Sequence, residues 1–352
     1  MKIPADKSSI MRLFSRPYVY AAVFTLLLTA AFVFTLLDAF VIPKALQLVP
    51  QIEPESKTAQ VATAVSYKDE NDEPLPPSVS EQPPETDNGV FLPDMTEDII
   101  EEYIEPESKT VAVVTAVSYK DENIEIFIEK IRVYDTDVYI ADIKIGSIDY
   151  LKSAFARNTY GRNINEKTSV IAERKAAIFA INGDFYGFRD NGWVLRNGVL
   201  YRTGRNDIAL LMDMAGNLSI DGNRVSIAKR ARELRQIWSF GPPLVVNGAV
   251  SVSENQEISG RSSNSNPRTA IGQAGELHYI FIVSDGRTAA SAGLSLYKLA
   301  SLFRERGCVV AYNLDGGGSA AMYFNGRIVN RPTTDGKKII EREVSDIVYI
   351  GY

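Results

Sequence analysis

Hydrophobic and polar positions divide the 352 residues into three regimes. Residues 18–37 read YVYAAVFTLLLTAAFVFTLL without a charge, and apolar residues resume after Asp38 at Phe40, Val41 and Ile42. At 1.5 Å per helical residue, such a run crosses a hydrocarbon core of roughly 30 Å. A buried core helix would show a polar face, and none appears here. The pattern predicts a transmembrane signal-anchor helix over 18–42. The rival is a cleavable signal peptide, whose apolar region is usually only about 7 to 15 residues and ends in a small-residue exit that this run lacks. Lys2, Lys7, Arg12 and Arg16 precede the span, and Asp38 and an acidic stretch follow it. The positive-inside bias therefore places residues 1–17 in the cytoplasm and the C-terminal domain outside the cell membrane.

Between 43 and 121 the periodicity disappears. Ten of the sixteen prolines lie between Pro43 and Pro106, and residues 51–110 carry sixteen acidic against three basic side chains. A segment so poor in aromatics cannot bury enough apolar surface to offset its ordering entropy, and it reads as a self-repelling linker. It holds a duplication: IEPESKTAQVATAVSYKDEN at 52–71 returns as IEPESKTVAVVTAVSYKDEN at 104–123, changed only in a short central stretch. Two copies are too few for a solenoid. Residues 94–107, with Met95, Ile99, Ile100, Tyr103 and Ile104 at helical spacing, predict a short amphipathic helix.

From 122 to 352 short β-rich runs alternate with Gly, Asn and Asp, as in one compact domain. Residues 124–134 and 137–145 read as paired strands, and AAIFAI at 176–181 as a buried strand entering the Asn182-Gly183 loop. Asn197-Gly198 and Asn325-Gly326 are hairpin turns. LYKLASLFRER at 296–306 has helical spacing and stops at Gly307; CVVAYNL at 308–314 is a buried strand, and 344–350 closes the domain. Strand, helix and strand in this order predict a mixed α+β (α/β) domain of mixed sheet with a few helices.

Composition removes several functions. The segment 111–352 carries a net charge of only +4 and no dense Lys/Arg stripe, so nucleic acid is not an expected partner. One cysteine, Cys308, allows neither an intrachain disulfide nor a thiolate zinc cluster. One histidine, His278, makes His-based metal sites and Ser-His-Asp relays hard to build; it reads as packed or surface-facing, and Cys308 as a small core residue.

Four loops leave predicted strands with polar groups: Asn182-Gly183-Asp184-Phe185-Tyr186, Arg268-Thr269-Ala270-Ile271-Gly272, Asp285-Gly286-Arg287, and Asp315-Gly316-Gly317-Gly318-Ser319. The triglycine is the sharpest, since a backbone without Cβ atoms can approach a ligand and offer N–H groups to an anion. It matches neither the Walker loop, nor G-x-G-x-x-G, nor G-x-S-x-G. Singly, each loop reads as well as a turn or bulge. Together, and with Ser291 to Ser295 and the block Arg342-Glu343-Val344-Ser345, the region 170–352 resembles the phosphodiester glycosidase family. It departs at Asp184, where the family usually has a second glycine.

The resemblance implies hydrolysis of a sugar-1-phosphodiester, with a glycan or glycophosphodiester as partner. Arg268, Arg287 or Arg342 would clamp the anion through paired guanidinium donors. The amides of Gly316, Gly317 and Gly318 would add donors, beside Gly183, Thr269 and Ser319. Asp315 is the first choice for the carboxylate that stabilises an oxocarbenium-like centre, and Asp285, Glu343 and Asp184 compete for the second role. Asn182 would bond sugar hydroxyls, and Phe185, Tyr186 and Trp193 would stack on the sugar. No cofactor is required. Carboxylates beside main-chain carbonyls could take a divalent cation, without EF-hand spacing. Two other classes stay open: a noncatalytic glycan-binding protein of exopolysaccharide or envelope assembly, and a metal-dependent phosphodiesterase cutting P–O.

Overall fold

The computed structural model describes residues 17–46, 112–254 and 265–352, so the first repeat copy and the helix expected at 94–107 lie outside the described residues. Helix α1 (Pro17–Phe40) is solvent-facing throughout its apolar window, which fits a segment whose partner is not protein. Among the described residues the other α-helices are short: α2 (Thr168–Arg174), α3 (Arg224–Arg230) and α4 (Leu296–Glu305). The domain is dominated by sheet, an α+β architecture in which each ladder among the described residues is antiparallel.

Side-chain alternation dictates the layering. Along His278–Ser284, Tyr279, Phe281 and Val283 enter one core while Ile280 and Ile282 enter another, because successive residues of a strand point to opposite faces. A strand buried on both faces reads as a continuous apolar run, as HYIFIVS does. This strand lies in an eight-stranded sheet that also holds Ile124–Val133, Thr136–Ile145, Arg268–Gly275 and Val310–Asn313. One face packs on α4 through Leu296, Leu299, Ala300 and Phe303. The other packs on two five-stranded sheets, one contributing Phe179, Ile181, Met322 and Val348, the other Leu210, Met212 and Trp238. Beyond these, α2 buries Ile171 and Ala172, and α3 buries Ile227. The result is helix, sheet, paired sheets, helices. The strands flanking α4 run parallel to each other, separated by Arg268–Gly275, to which both are antiparallel.

Two parts of the expected 43–121 linker belong to the domain. Lys44–Ala45 pairs with Gly161–Arg162, and the Leu46 N–H donates to the Tyr160 carbonyl at 3.0 Å. Ala112–Lys120, from the second repeat copy, is the edge strand beside Ile124–Val133. Its turn is closed by Asp121, which accepts from the N–H groups of Asn123 and Ile124 and from the Tyr119 hydroxyl. The hairpins expected at Asn197-Gly198 and Asn325-Gly326 have positive φ at both turn residues, the conformation that Asn-Gly tolerates.

His278 bonds Asp142 at 2.8 Å on the sheet surface, and burial pushes the Cys308 thiol up to about 12. Cys308 is a core residue and His278 a surface-facing strand residue. Phe281 sits at the centre of the larger core, its ring 5.1 Å from that of Phe179. Phe281→Ala is expected to cost about 3–5 kcal/mol. In urea unfolding of the detergent-solubilised chain this appears as a lower midpoint with an unchanged slope; an unchanged midpoint would show that the core is not packed this way.

Candidate active site

Three strand ends converge. Phe179–Asn182 delivers Asn182-Gly183-Asp184, Val310–Asn313 delivers Leu314-Asp315, and the chain entering Asp346–Ile350 carries Arg342, Glu343 and Ser345. The backbone ties them together. The Gly183 N–H donates to the Asp346 carbonyl at 2.9 Å, and the Leu314 N–H to the Thr269 carbonyl at 2.9 Å. Asn182 is fully buried; its amide donates to the Asp315 carbonyl at 2.6 Å, and its carbonyl accepts from the Thr269 hydroxyl at 2.7 Å. Contrary to the sequence expectation that they would bind substrate, Asn182 and Thr269 turn their polar groups to each other and to the Asp315 carbonyl. They hold the loop that carries Asp315.

Above this floor lies a cleft of about 350 Å³ lined by Asn165, Asp184, Phe185, Phe188, Asp315 and Ser319, and by Arg342 to Ser345. Arg342 donates through Nη2 to Asp315 Oδ2 at 3.2 Å and to Ser319 Oγ at 2.6 Å, and through Nε to the same hydroxyl at 3.0 Å. The Asp315 side chain is only 13% exposed. Burial pushes its carboxyl up; Ser319, the Arg342 charge and the Gly316 amide oppose the shift. Phe185 and Phe188 stack with centroids 4.5 Å apart, and Arg189 lies over Phe240 at 4.6 Å while its charge also reaches Asp315. Glu343 is exposed at the rim.

A second, drier charge cluster supports one wall. Arg196, 2% exposed, pairs with Asp346 at 2.8 Å and Asp184 at 2.9 Å. Asp184 also accepts from the Ser239 and Tyr186 N–H groups, so its oxygens are committed although it borders the cleft. Gly183 has no alternative here, since a Cβ would run into the Asp346 carboxylate.

The remaining expected residues lie elsewhere. Asp285 is buried away from the cleft; it accepts from the Arg331 N–H at 2.8 Å, from Asn330 and from the Tyr139 hydroxyl. Arg268 is buried and donates to the Leu294 carbonyl at 3.0 Å. Arg287 binds Asn266 and the Thr334 carbonyl behind the triglycine. The Gly317 amide is committed to the Pro267 carbonyl at 2.8 Å, so the triglycine is not a row of free donors. Gly317 has φ of 61°, and Cβ atoms at 316 and 317 would lie 2.7 Å from the Pro267 carbonyl and 2.8 Å from Arg287. Tyr186 and Trp193 are core residues; of the aromatics, Phe185 and the unanticipated Phe188 line the cleft. Among the described residues, no three His, Cys, Asp or Glu side chains form a group able to hold a metal.

A carboxylate, a guanidinium and a hydroxyl beside an aromatic wall are the equipment of a glycosidase-like hydrolase. The family model described as phosphodiester glycosidase matches residues 175–351, and the chain belongs to that family. The SPbeta prophage-derived protein YomE of Bacillus subtilis is 30% identical over 286 residues, covering 72% of this chain and 42% of that protein. The N-acetylglucosamine-1-phosphodiester alpha-N-acetylglucosaminidase of Mus musculus is 35% identical over 108 residues, 29% of this chain and 21% of the enzyme. The matches thus span less than half the length of these relatives. The fold resembles the catalytic domain of the zebrafish N-acetylglucosamine-1-phosphodiester alpha-N-acetylglucosaminidase, with a TM-score of 0.52 at 20% identity over 69% of this chain and 87% of that one.

Arg196 and Asp346 belong to no motif in the sequence, where they stand inside the strand-like runs VLR and DIVYI. The available signal was a charge at a position that alternation assigns to the interior. Burial raises the Asp346 carboxyl above the ordinary carboxylate range; Arg196 opposes this, and the Asp184 charge adds to it. The folded state then keeps a proton that the unfolded chain releases near pH 4. This stabilisation is complete below that pH and is lost as pH rises toward the folded value. Across that window the native chain should lose stability relative to Asp346→Asn in denaturant titrations; parallel profiles would exclude Asp346 as the titrating group.

Proposed function

We propose that this chain is a membrane-anchored, extracytoplasmic hydrolase that cleaves the glycosidic C–O bond of a sugar-1-phosphodiester in an envelope glycan or glycoconjugate. Family membership supports a glycosidase-like hydrolase, and the mouse relative's name supplies a sugar to try first, N-acetylglucosamine. The observation that carries the reading is the Asp315, Arg342 and Ser319 cluster in a cleft with an aromatic wall.

The geometry supports a division of labour. A phosphodiester is a permanent anion, and Arg342 offers it a planar fork of donors, with Arg189 as a second cation. The sugar ring lies along Phe185 and Phe188. As phosphate competes for Arg342, Asp315 is released to face the anomeric carbon, where its charge stabilises the oxocarbenium-like centre or forms a bond to it. Glu343 takes the second carboxyl role, because Asp285 is outside the cleft and Asp184 is committed to Arg196. Phosphate leaves readily, so Glu343 serves chiefly to activate water.

Asp315→Asn should lower kcat/KM on an N-acetylglucosamine-1-phosphodiester by about 10²–10⁴ with the fold retained. Hydrolysis in oxygen-18 water should put the label in the sugar. Label in the phosphate would mean P–O cleavage, and binding without turnover would make the protein a glycan binder.

A further inference from the structure

The chain between the apolar helix and the domain is docked. Val41 and Ile42 continue the end of α1 with N–H bonds to the Leu37 carbonyl, and Lys44 forms an ion pair with Asp38. Lys44–Ala45 then pairs with Gly161–Arg162, and the Asn163 amide donates to the Ile42 carbonyl at 3.3 Å. The seat is built for this strand, because a Cβ at Gly161 would run into the Lys44 carbonyl.

The seat is also the back of the cleft's aromatic wall. The Asn163 N–H donates to the Gly187 carbonyl at 3.3 Å, and Gly187 lies between the stacked Phe185 and Phe188. A Cβ at Gly187 would run into the hydroxyl of Ser345, a cleft residue, and would stand 3.3 Å from the Gly161 carbonyl. Two residues beyond Asn163, Asn165 lines the cleft itself. Fully extended, four residues from Phe40 to Lys44 span at most about 14 Å and three from Arg162 to Asn165 at most about 11 Å, with about 5 Å across the ladder. The cleft wall is therefore within about 30 Å of the helix end. A long free tether would set no such limit.

We infer that the substrate is a sugar-1-phosphodiester whose aglycone is a lipid of the same bilayer, presented at the headgroup level to a cleft held there by the docked stalk. The inference rests on the membrane-anchored hydrolase reading above. It requires no chemistry beyond that reaction: water adds to the anomeric carbon, the C–O bond to phosphate breaks, and the lipid phosphate stays in the membrane. The recognised feature is shared by soluble and membrane-resident esters. Only the short maximum reach of the docked stalk selects between them.

The test uses the full chain reconstituted in phospholipid vesicles with two probes, N-acetylglucosamine-1-phosphate esterified to methanol and the same headgroup on a long-chain alcohol embedded in the vesicle. The variant inserts a Gly/Ser run of about a dozen residues between Pro43 and Lys44, adding a reach of about 20 Å; it separates Asp38 and Ile42 from the seat but changes no residue of the Lys44–Ala45 pairing or of the cleft. The unmodified chain should hydrolyse the embedded ester at least about tenfold faster per accessible molecule than the soluble one. The insertion should remove that preference while leaving the soluble rate within about twofold. Equal rates on both probes, a preference that survives the insertion, or an equal fall on both would overturn the inference. Release from neither probe would instead remove the underlying hydrolase reading, and this inference with it.

Discussion

The arrangement of the cleft depends on one buried guanidinium. Arg196 comes from the strand Val194–Arg196 of one five-stranded sheet, and its two carboxylate partners come from a neighbouring sheet's strand ends, Asp346 and the loop after Asn182. Removing three charges from water costs several kcal/mol per ion, and their mutual attraction offsets this only when the remaining donors and acceptors are also satisfied. Most are. Arg196 also donates to the carbonyls of Leu195 and Ile237, and Asp184 receives two backbone N–H groups. Two atoms of the cluster lack a hydrogen-bond partner: Arg196 Nη2, which meets Asp184 only as an ion pair at 2.9 Å, and Asp346 Oδ1. That imbalance is why burial wins at Asp346 and raises its carboxyl. The clamp thus fixes the relation of the two smaller sheets at the point where the cleft opens, and it makes Asp184 a wall rather than a proton carrier.

The triglycine acts by the same logic of space. Each of its residues is pressed by a neighbour: Gly316 by the Pro267 carbonyl, Gly317 by Arg287, and Gly318 by Thr334. Glycine is required because the loop must pass between other parts of the chain on its way from Asp315 to Ser319. The outcome is a short turn that returns the Ser319 hydroxyl to the guanidinium already touching Asp315. A loop that merely cradled an anion would leave its amides free, whereas Gly317 donates to protein.

Much of the fold could be read from the chain because the relevant signals are local. The apolar run HYIFIVS, the Asn-Gly turns and the helix stopping at Gly307 depend on neighbours in sequence. The α+β class followed from their order. The boundaries of the linker are less legible: Lys44–Ala45 is a strand because Gly161–Arg162 offers it a partner, and Ala112–Lys120, though rich in β-branched residues, directly follows the acidic, proline-rich stretch and pairs with Ile124–Val133. At the site, the loops were found but not the directions of their side chains. Asn182, Thr269 and Arg268 look as available as Asp315 and Arg342 in sequence. Only the fold turns the first three inward and the last two into the cleft.

The pair formed by Asp315 and Arg342 is informative because it is poised rather than closed. At 3.2 Å through a single nitrogen, it lacks the bidentate geometry that makes Arg–carboxylate pairs strong, and the same Nη2 is shared with Ser319 at 2.6 Å. Arg342 is also 39% exposed on its side chain, so the protein leaves part of its donor fork facing the cleft. A carboxylate pushed up by burial and held by a shared guanidinium is a group whose charge depends on what else that guanidinium binds. On the proposed reading an anion entering the cleft acts on both residues together: taking donors from Asp315 pushes the carboxyl further toward its protonated form, until positive charge developing beside it favours the carboxylate. In a sugar-1-phosphodiester that charge arises at the anomeric carbon, which a single bridging oxygen joins to the phosphorus.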